Sequence, residues 1–158
     1  MKLKQLLLFI CVAGTFASCK KSGDDFDAEA QFTADTTAIR SYVTTNNIPV
    51  IKHQSGIFYQ IIAPGTGTVI YNDNTEISAD YSGRLLGAST TFNDTKGQPI
   101  LFTLGGLITG WKIGIPLIQK GGKIRLFLPS YYGYGNVNKN GIPANSVLDF
   151  TIAIADVK

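Results

Sequence analysis

Between Ile57 and Val157 apolar and polar positions alternate in short runs, a period of two that predicts β-strands. Ile57-Phe58-Tyr59-Gln60-Ile61-Ile62 is a β-rich run closed by Pro64-Gly65-Thr66-Gly67. Glu76 to Leu85 sets Ile77, Ala79, Tyr81 and Gly83 on one face. Ile100 to Leu104 stops at Gly105-Gly106, and Lys123 to Leu128 stops at Pro129. From Val147 to Val157, Leu148, Phe150, Ile152 and Ile154 face one way, with Asp149, Thr151, Ala153 and Ala155 opposite. Residues 110–118 break this alternation and read as one short helix. An earlier, looser stripe of Ala34, Ile39, Tyr42 and Val43 falls near helical spacing, with Thr33 able to cap it. Asn46-Asn47-Ile48-Pro49 ends that helix, because a residue before proline disfavours helical backbone. A helix this short is marginal alone, so it is expected to pack on the domain or on a partner. The pattern therefore predicts an α+β fold: an antiparallel sheet of about five strands, its apolar face covered by the short helix.

The first residues follow a different plan. Met1-Lys2-Leu3-Lys4 gives a positive start, Leu6 to Ala13 a short apolar stretch, and Phe16-Ala17-Ser18-Cys19 small residues closing on a cysteine. The apolar run is too short to span a bilayer as a helix. A plain secretory leader would not need Cys19, and the segment resembles a bacterial lipoprotein signal, with Phe16 where Leu is usual. That resemblance implies cleavage after residue 18 and lipidation of Cys19, each buried CH₂ contributing about 0.8 kcal/mol to membrane attachment. A secretory leader that happens to contain Cys19 is the alternative. Lys20 in place of Asp at the second mature position points to the outer membrane, with the periplasmic or surface face left open. The chain thus divides into a signal peptide (1–18), a lipidated tether (19–31), an N-terminal helical extension (32–50) and a folded domain (51–158). Asp24, Asp25 and Asp27 in the tether suit a solvated spacer or a surface-export signal.

Composition narrows the chemistry. The formal charge of +3 falls to about +1 once Lys2 and Lys4 are removed with the leader, leaving 12 basic against 11 acidic residues. With no basic run in the mature chain, no nucleic-acid partner is expected. Both cysteines, Cys11 and Cys19, lie in or beside the leader, so the body can hold no disulfide, thiol nucleophile or cysteine metal site. The single histidine, His53, lies at the edge of the domain, where an exposed residue is expected rather than a catalyst. One imidazole without cysteines makes no transition-metal site, and the tether aspartates lack the spacing of a calcium loop. Gly65-Thr66-Gly67 lacks the remainder of a nucleotide-binding loop and reads as a turn. No metal or cofactor is expected.

Seven short segments carry a more specific signal. They are Ser55-Gly56-Ile57-Phe58-Tyr59, Gly65-Thr66-Gly67, Asp80-Tyr81-Ser82-Gly83, Thr91-Phe92-Asn93, Leu107-Ile108-Thr109-Gly110-Trp111, Pro129 to Gly135, and Gly141 to Leu148. In this order and spacing, over roughly 100 residues, the chain resembles the FKBP-type peptidyl-prolyl cis-trans isomerases. The resemblance implies a curved antiparallel sheet wrapped around one short helix, with the substrate proline inserted between them. It implies Trp111 as the pocket floor and Tyr81, Phe92, Leu107, Ile108, Tyr134, Ile142 and Phe150 as walls, with Ile100 at a wall position that is often Phe. The Ile108 N–H and the Tyr134 hydroxyl would donate to the substrate carbonyl. Each aromatic or aliphatic residue alone is explained by core packing; the ordered combination is what points to a site.

Such a pocket suits prolyl isomerisation. The barrier, about 18–20 kcal/mol, comes from partial double-bond character in the C–N bond. That resonance is charge-separated, so a dry aromatic surrounding weakens it, and donors aimed at the twisted carbonyl bind the transition state preferentially. No nucleophile, acid–base pair, metal or cofactor is needed. One departure bears on rate: the family usually has Asp after the pocket Phe, whereas Phe92 is followed by Asn93, which predicts reduced catalysis. The polar loop Asn136 to Asn140 is expected to tune substrate choice. The leading expectation is a monomeric isomerase assisting the folding of proline-containing exported chains at the membrane. A catalytically weak peptide-binding or chaperone lipoprotein and a purely structural lipoprotein are the alternatives.

Overall fold

The computed structural model describes residues 26–158; the leader, Cys19 and most of the tether lie outside the described residues. Helix α1 runs Ala28–Thr45, and its cap is Asp27 rather than Thr33, the carboxylate accepting from the Glu29 and Ala30 N–H groups at 3.0 and 2.9 Å. The helix thus begins four residues before the expected boundary at residue 32, because an aspartate satisfies the orphan first-turn donors earlier in the chain. Thr33 lies inside the helix instead, its carbonyl taking the hydroxyls of Thr36 and Thr37. At the other end Asn46 caps the helix and Asn47, at φ 52°, turns the chain away.

Seven strands follow: β1 Ile51–Lys52, β2 Phe58–Ala63, β3 Glu76–Leu85, β4 Thr91–Asp94, β5 Ile100–Thr103, β6 Lys123–Leu128 and β7 Leu148–Val157. They form one antiparallel sheet in the order β1-β2-β6-β7-β3-β4, with β5 also on β3. β5 takes Glu76–Ala79 and β4 takes Ser82–Arg84, so one edge of β3 carries two short strands in succession. β1 and β4 join the five strands legible in the sequence; β1 has only two residues, and β4, Thr-Phe-Asn-Asp, carries a single apolar residue.

Each sheet face has its own cover. On one face helix α2, Thr109–Gly114, continues into a 3₁₀ turn at Ile115–Leu117 and packs on Ile57, Ile77, Ile124, Leu126, Leu128, Leu148, Ile152 and Ile154, all buried. The helix lies close on β6 because residue 110 is glycine; a Cβ there would sit 2.5 Å from the Leu128 Cδ1. On the opposite face α1 sets Ile39 and Val43 against Phe58 and Phe127. Burial of these four apolar side chains stabilises a helix that would not persist alone, at about 1.5–3 kcal/mol per side chain. Beside them Asp149, 1% exposed, accepts a bidentate pair from Arg125 at 2.9 and 2.7 Å, which compensates burial of its charge.

A buried polar joint also ties α1 to the rest. Asp35, 3% exposed, accepts from the Ser130 N–H at 2.8 Å, the Ser130 hydroxyl at 2.6 Å and the Gln31 amide at 2.7 Å. The Ser130 carbonyl in turn receives the N–H groups of Gly133 and Gly135. Helix α1 therefore holds the first turn of the β6–β7 connection, the segment that carries Tyr134.

Candidate active site

A cavity of about 340 Å³ opens between the sheet and the start of α2. Tyr81 reaches it from β3, Phe92 and Asn93 from β4, Phe102 from β5, and Phe150 from β7. Gly106, Leu107, Ile108 and Trp111 line it from the entry to α2, and Tyr134 and Lys139 from the β6–β7 connection. Three aromatic rings meet Trp111 edge to face and a fourth joins through Phe150, the favoured arrangement for ring quadrupoles. Tyr81 stands 4.9 Å from Trp111 at 85°, Phe150 5.3 Å at 90°, and Phe102 6.1 Å at 77°; Phe92 meets Phe150 at 5.6 Å. Trp111 is 4% exposed, and its indole N–H has no partner among the described residues. The approach of Phe92 to Phe150 across β3 depends on Gly83, where a Cβ would lie 2.5 Å from the Phe150 ring and 2.8 Å from the Phe92 ring.

Beside the Trp111 indole, three lining residues carry hydrogen-bond donors. Ile108 precedes the first turn of α2, where its carbonyl accepts from Trp111 and Lys112 while its own N–H is bonded to no other described residue. The hydroxyls of Tyr81 and Tyr134 are likewise unpaired among the described residues. Burial raises the pKa of Tyr134 above its ordinary 10.0, and burial followed by the nearness of Tyr134 does the same for Tyr81. Both phenols therefore stay protonated, and able to donate, throughout the neutral range. Asn93 is exposed at the cavity edge and makes no hydrogen bond to either tyrosine, while Asp94 accepts from the Lys96 N–H and faces a separate shallow pocket with Asp80 and Lys123.

Eight of the residues singled out in the sequence thus share one cavity: Tyr81, Phe92, Asn93, Leu107, Ile108, Trp111, Tyr134 and Phe150. Two do not line it. Ile100 is 47% exposed at the start of β5, paired with Ala79, and the wall there is Phe102. Phe102 lies two positions on, on the same strand face and opposite Ile77, which brings its ring against Trp111. Ile142 is buried in the core instead, bridged to Lys139 by two backbone hydrogen bonds, so it supports the rim without forming it. Phe102 and Gly106 were missed, and Lys139 was covered only as part of the polar loop 136–140; the period of two in β5 was the signal for Phe102. His53 is half-buried rather than exposed, its Nδ1 occupied by Ser55 in the turn before β2, outside the cavity lining. Among the described residues no group of acidic, histidine or cysteine side chains could hold a metal, and no helix is long and apolar enough to cross a membrane.

With this geometry in view, comparison with known proteins is specific. The sequence profile of the FKBP-type peptidyl-prolyl cis-trans isomerases matches residues 67–155. The chain is 42% identical over 111 residues to the FKBP-type isomerase FkpA of Buchnera aphidicola subsp. Schizaphis graminum, covering 69% of this chain and 44% of that protein. It is 38% identical over 105 residues to FkpA of Escherichia coli K12, covering 66% and 38%. The chain thus spans less than half the length of these relatives. The crystal structure of Escherichia coli FkpA superposes with a TM-score of 0.68 at 31% identity, over 82% of this chain and 64% of that one. A peptidyl-prolyl isomerase structure from Pseudomonas syringae gives 0.67 at 28% identity, over 86% and 99%.

Proposed function

Since the chain belongs to the FKBP-type peptidyl-prolyl cis-trans isomerase family, we propose that it catalyses cis-trans isomerisation of Xaa-Pro bonds in polypeptide substrates. The observation that carries this reading is an aromatic cavity holding unpaired donors and no nucleophile–base pair. A prolyl ring seated on Trp111 between Tyr81, Phe102 and Phe150 leaves water. Its imide then loses solvent stabilisation of the charge-separated resonance form, and the C–N bond twists more easily. The Ile108 N–H and Tyr134 O–H supply hydrogen bonds to the carbonyl as it rotates, and only bonds stronger in the twisted state raise kcat. No proton moves and no covalent intermediate forms.

The finer setting is also a proposal. Cys19, behind the leader-like residues 1–18, is read as a lipidated anchor that holds the isomerase on the outer membrane to act on exported chains. Replacing Cys19 with Ser should release the protein from the membrane fraction; retention of the variant there contradicts the anchor. The foldase role is tested by refolding a substrate whose slow phase is limited by a trans-to-cis proline. The protein should accelerate that phase, and Trp111→Leu should abolish the effect; an unchanged slow phase rejects the reading.

The second reading, a peptide-binding module of low catalytic power, is favoured by one observation. Asn93 places an uncharged, unbonded amide where the family usually has a carboxylate. Under that reading prolyl peptides bind in the cavity while isomerisation stays near its spontaneous rate.

A further inference from the structure

The lining of the cavity is apolar or neutral except at Lys139, the one charged side chain among the described residues that line it. Several features show that this lysine is held at the rim by the fold. Lys139 and Ile142 exchange both backbone hydrogen bonds, at 2.9 and 2.7 Å, across the turn residues Asn140 and Gly141. Those two have φ of 30° and 83°, the positive pair of a type I′ turn, which Asn-Gly adopts readily. Ile142, 5% exposed, plugs the turn into the core, and the Asn138 side chain accepts the Ala144 N–H beside it. From this fixed turn the Lys139 ammonium lies 5.7 Å from the centre of the Tyr134 ring.

The charge is also unopposed. Lys139 takes part in neither of the two ion pairs of the described residues, Lys120–Asp156 and Arg125–Asp149. The nearest sequence candidate for a compensating charge on β4, Asp94, is engaged with the Lys96 N–H and belongs to the pocket that Asp80, Ser82 and Lys123 line. Position 93, which lines the cavity, is an uncharged Asn. A peptide entering the cavity therefore meets one positive charge at the mouth of an aromatic site, carried on a backbone turn that the fold holds in place.

We infer that Lys139 is a specificity-determining residue that selects prolyl segments with an acidic residue immediately beside the proline. The inference rests on the isomerase reading for its catalytic form, and on the cavity alone for its binding form. A carboxylate next to the bound proline would approach the Lys139 ammonium across the rim, whereas a lysine there would meet a like charge. At the distances and partial solvent exposure of a rim the difference amounts to a preference of about 3- to 10-fold in kcat/KM.

The test uses the purified protein and peptides of the form Ala-Xaa-Pro-Phe with Xaa Glu, Gln or Lys, and a second set with the charge directly after proline. Isomerisation is followed by NMR exchange and affinity by the fluorescence of Trp111, the only Trp in the chain. In at least one set, Glu should exceed Lys by about 3- to 10-fold in dilute buffer and approach parity in 1 M salt, where the screening length is about 3 Å. Lys139→Gln should flatten the series and Lys139→Glu should invert it. Equal handling of Glu and Lys by the unmodified protein in both sets overturns the inference, as does a preference that survives in Lys139→Gln. Peptides that bind with this charge order but are not isomerised would sink the isomerase reading while upholding the role of Lys139 in recognition.

Discussion

At the residue scale, the proposed chemistry turns on Asn93 and the two pocket tyrosines. An amide at position 93 contributes a dipole where a carboxylate would contribute a full charge, so the field on the bound imide is weaker. Asn93→Asp is expected to raise kcat/KM several-fold without moving Tm, since the side chain is exposed and unbonded; stopped isomerisation assays beside thermal melts would check it. An unchanged kcat/KM in the folded variant removes Asn93 as the limit on rate. The tyrosines fix the pH dependence. Both have raised pKa values because burial penalises the phenolate, so the folded chain holds those protons more tightly than the unfolded one. Their contribution to stability is complete below the ordinary 10.0 and is lost as pH rises through the elevated values. Activity and stability should therefore show no tyrosine-linked change from about pH 6 to 9, with both falling above about 10. A half-maximal change within the neutral range would contradict the assignment.

Helix α1 matters at the scale of elements because its buried Asp35 grips the turn that leads to Tyr134. Loss of the carboxylate strands the Ser130 N–H and hydroxyl in a buried setting, at a cost of about 1–3 kcal/mol. Asp35→Ala should lower Tm by about 4–12 °C. At temperatures where the variant is fully folded, it should also lower affinity for prolyl peptides, because the turn that orients Tyr134 is loosened. Hydrogen exchange localised to residues 130–135 would identify this mechanism; an intact peptide affinity would reduce Asp35 to a purely structural part. None of this joint could be read from the sequence. Asp35 and Ser130 are 95 residues apart, and neither residue type in its local pattern announces a partner. The same limit explains the displaced start of α1: Asp27 sat in an acidic, tether-like stretch, and only the bonds to Glu29 and Ala30 separate a cap from a spacer.

Across the whole molecule, what was legible follows from periodicity and what was not follows from long-range geometry. β7 alternates over ten residues, and Leu148, Phe150, Ile152 and Ile154 are all buried as the pattern required. The helix over the sheet was marked by the same break in alternation that delivers Trp111 to the cavity floor. Most of the cavity was visible only through the ordered resemblance, since a lone Trp or Phe says no more than core. Phe102 replaced Ile100 because a strand face holds several apolar residues and register alone decides which one meets Trp111. Lys139 owes its position to an Asn-Gly turn plugged by Ile142, a placement that needs the tertiary structure.

These scales converge on one claim, that the cavity around Trp111 isomerises proline by desolvation and by donation from Ile108 and Tyr134. The most direct measurement is the cis-to-trans rate of a short Leu-Pro peptide with the purified protein, Tyr134→Phe and Trp111→Leu in parallel. The account predicts clear acceleration by the protein and a loss of about fivefold in Tyr134→Phe, the worth of one neutral hydrogen bond. It predicts near-spontaneous rates in Trp111→Leu. A folded protein that leaves the spontaneous rate unchanged, or one whose acceleration survives both substitutions intact, would contradict it.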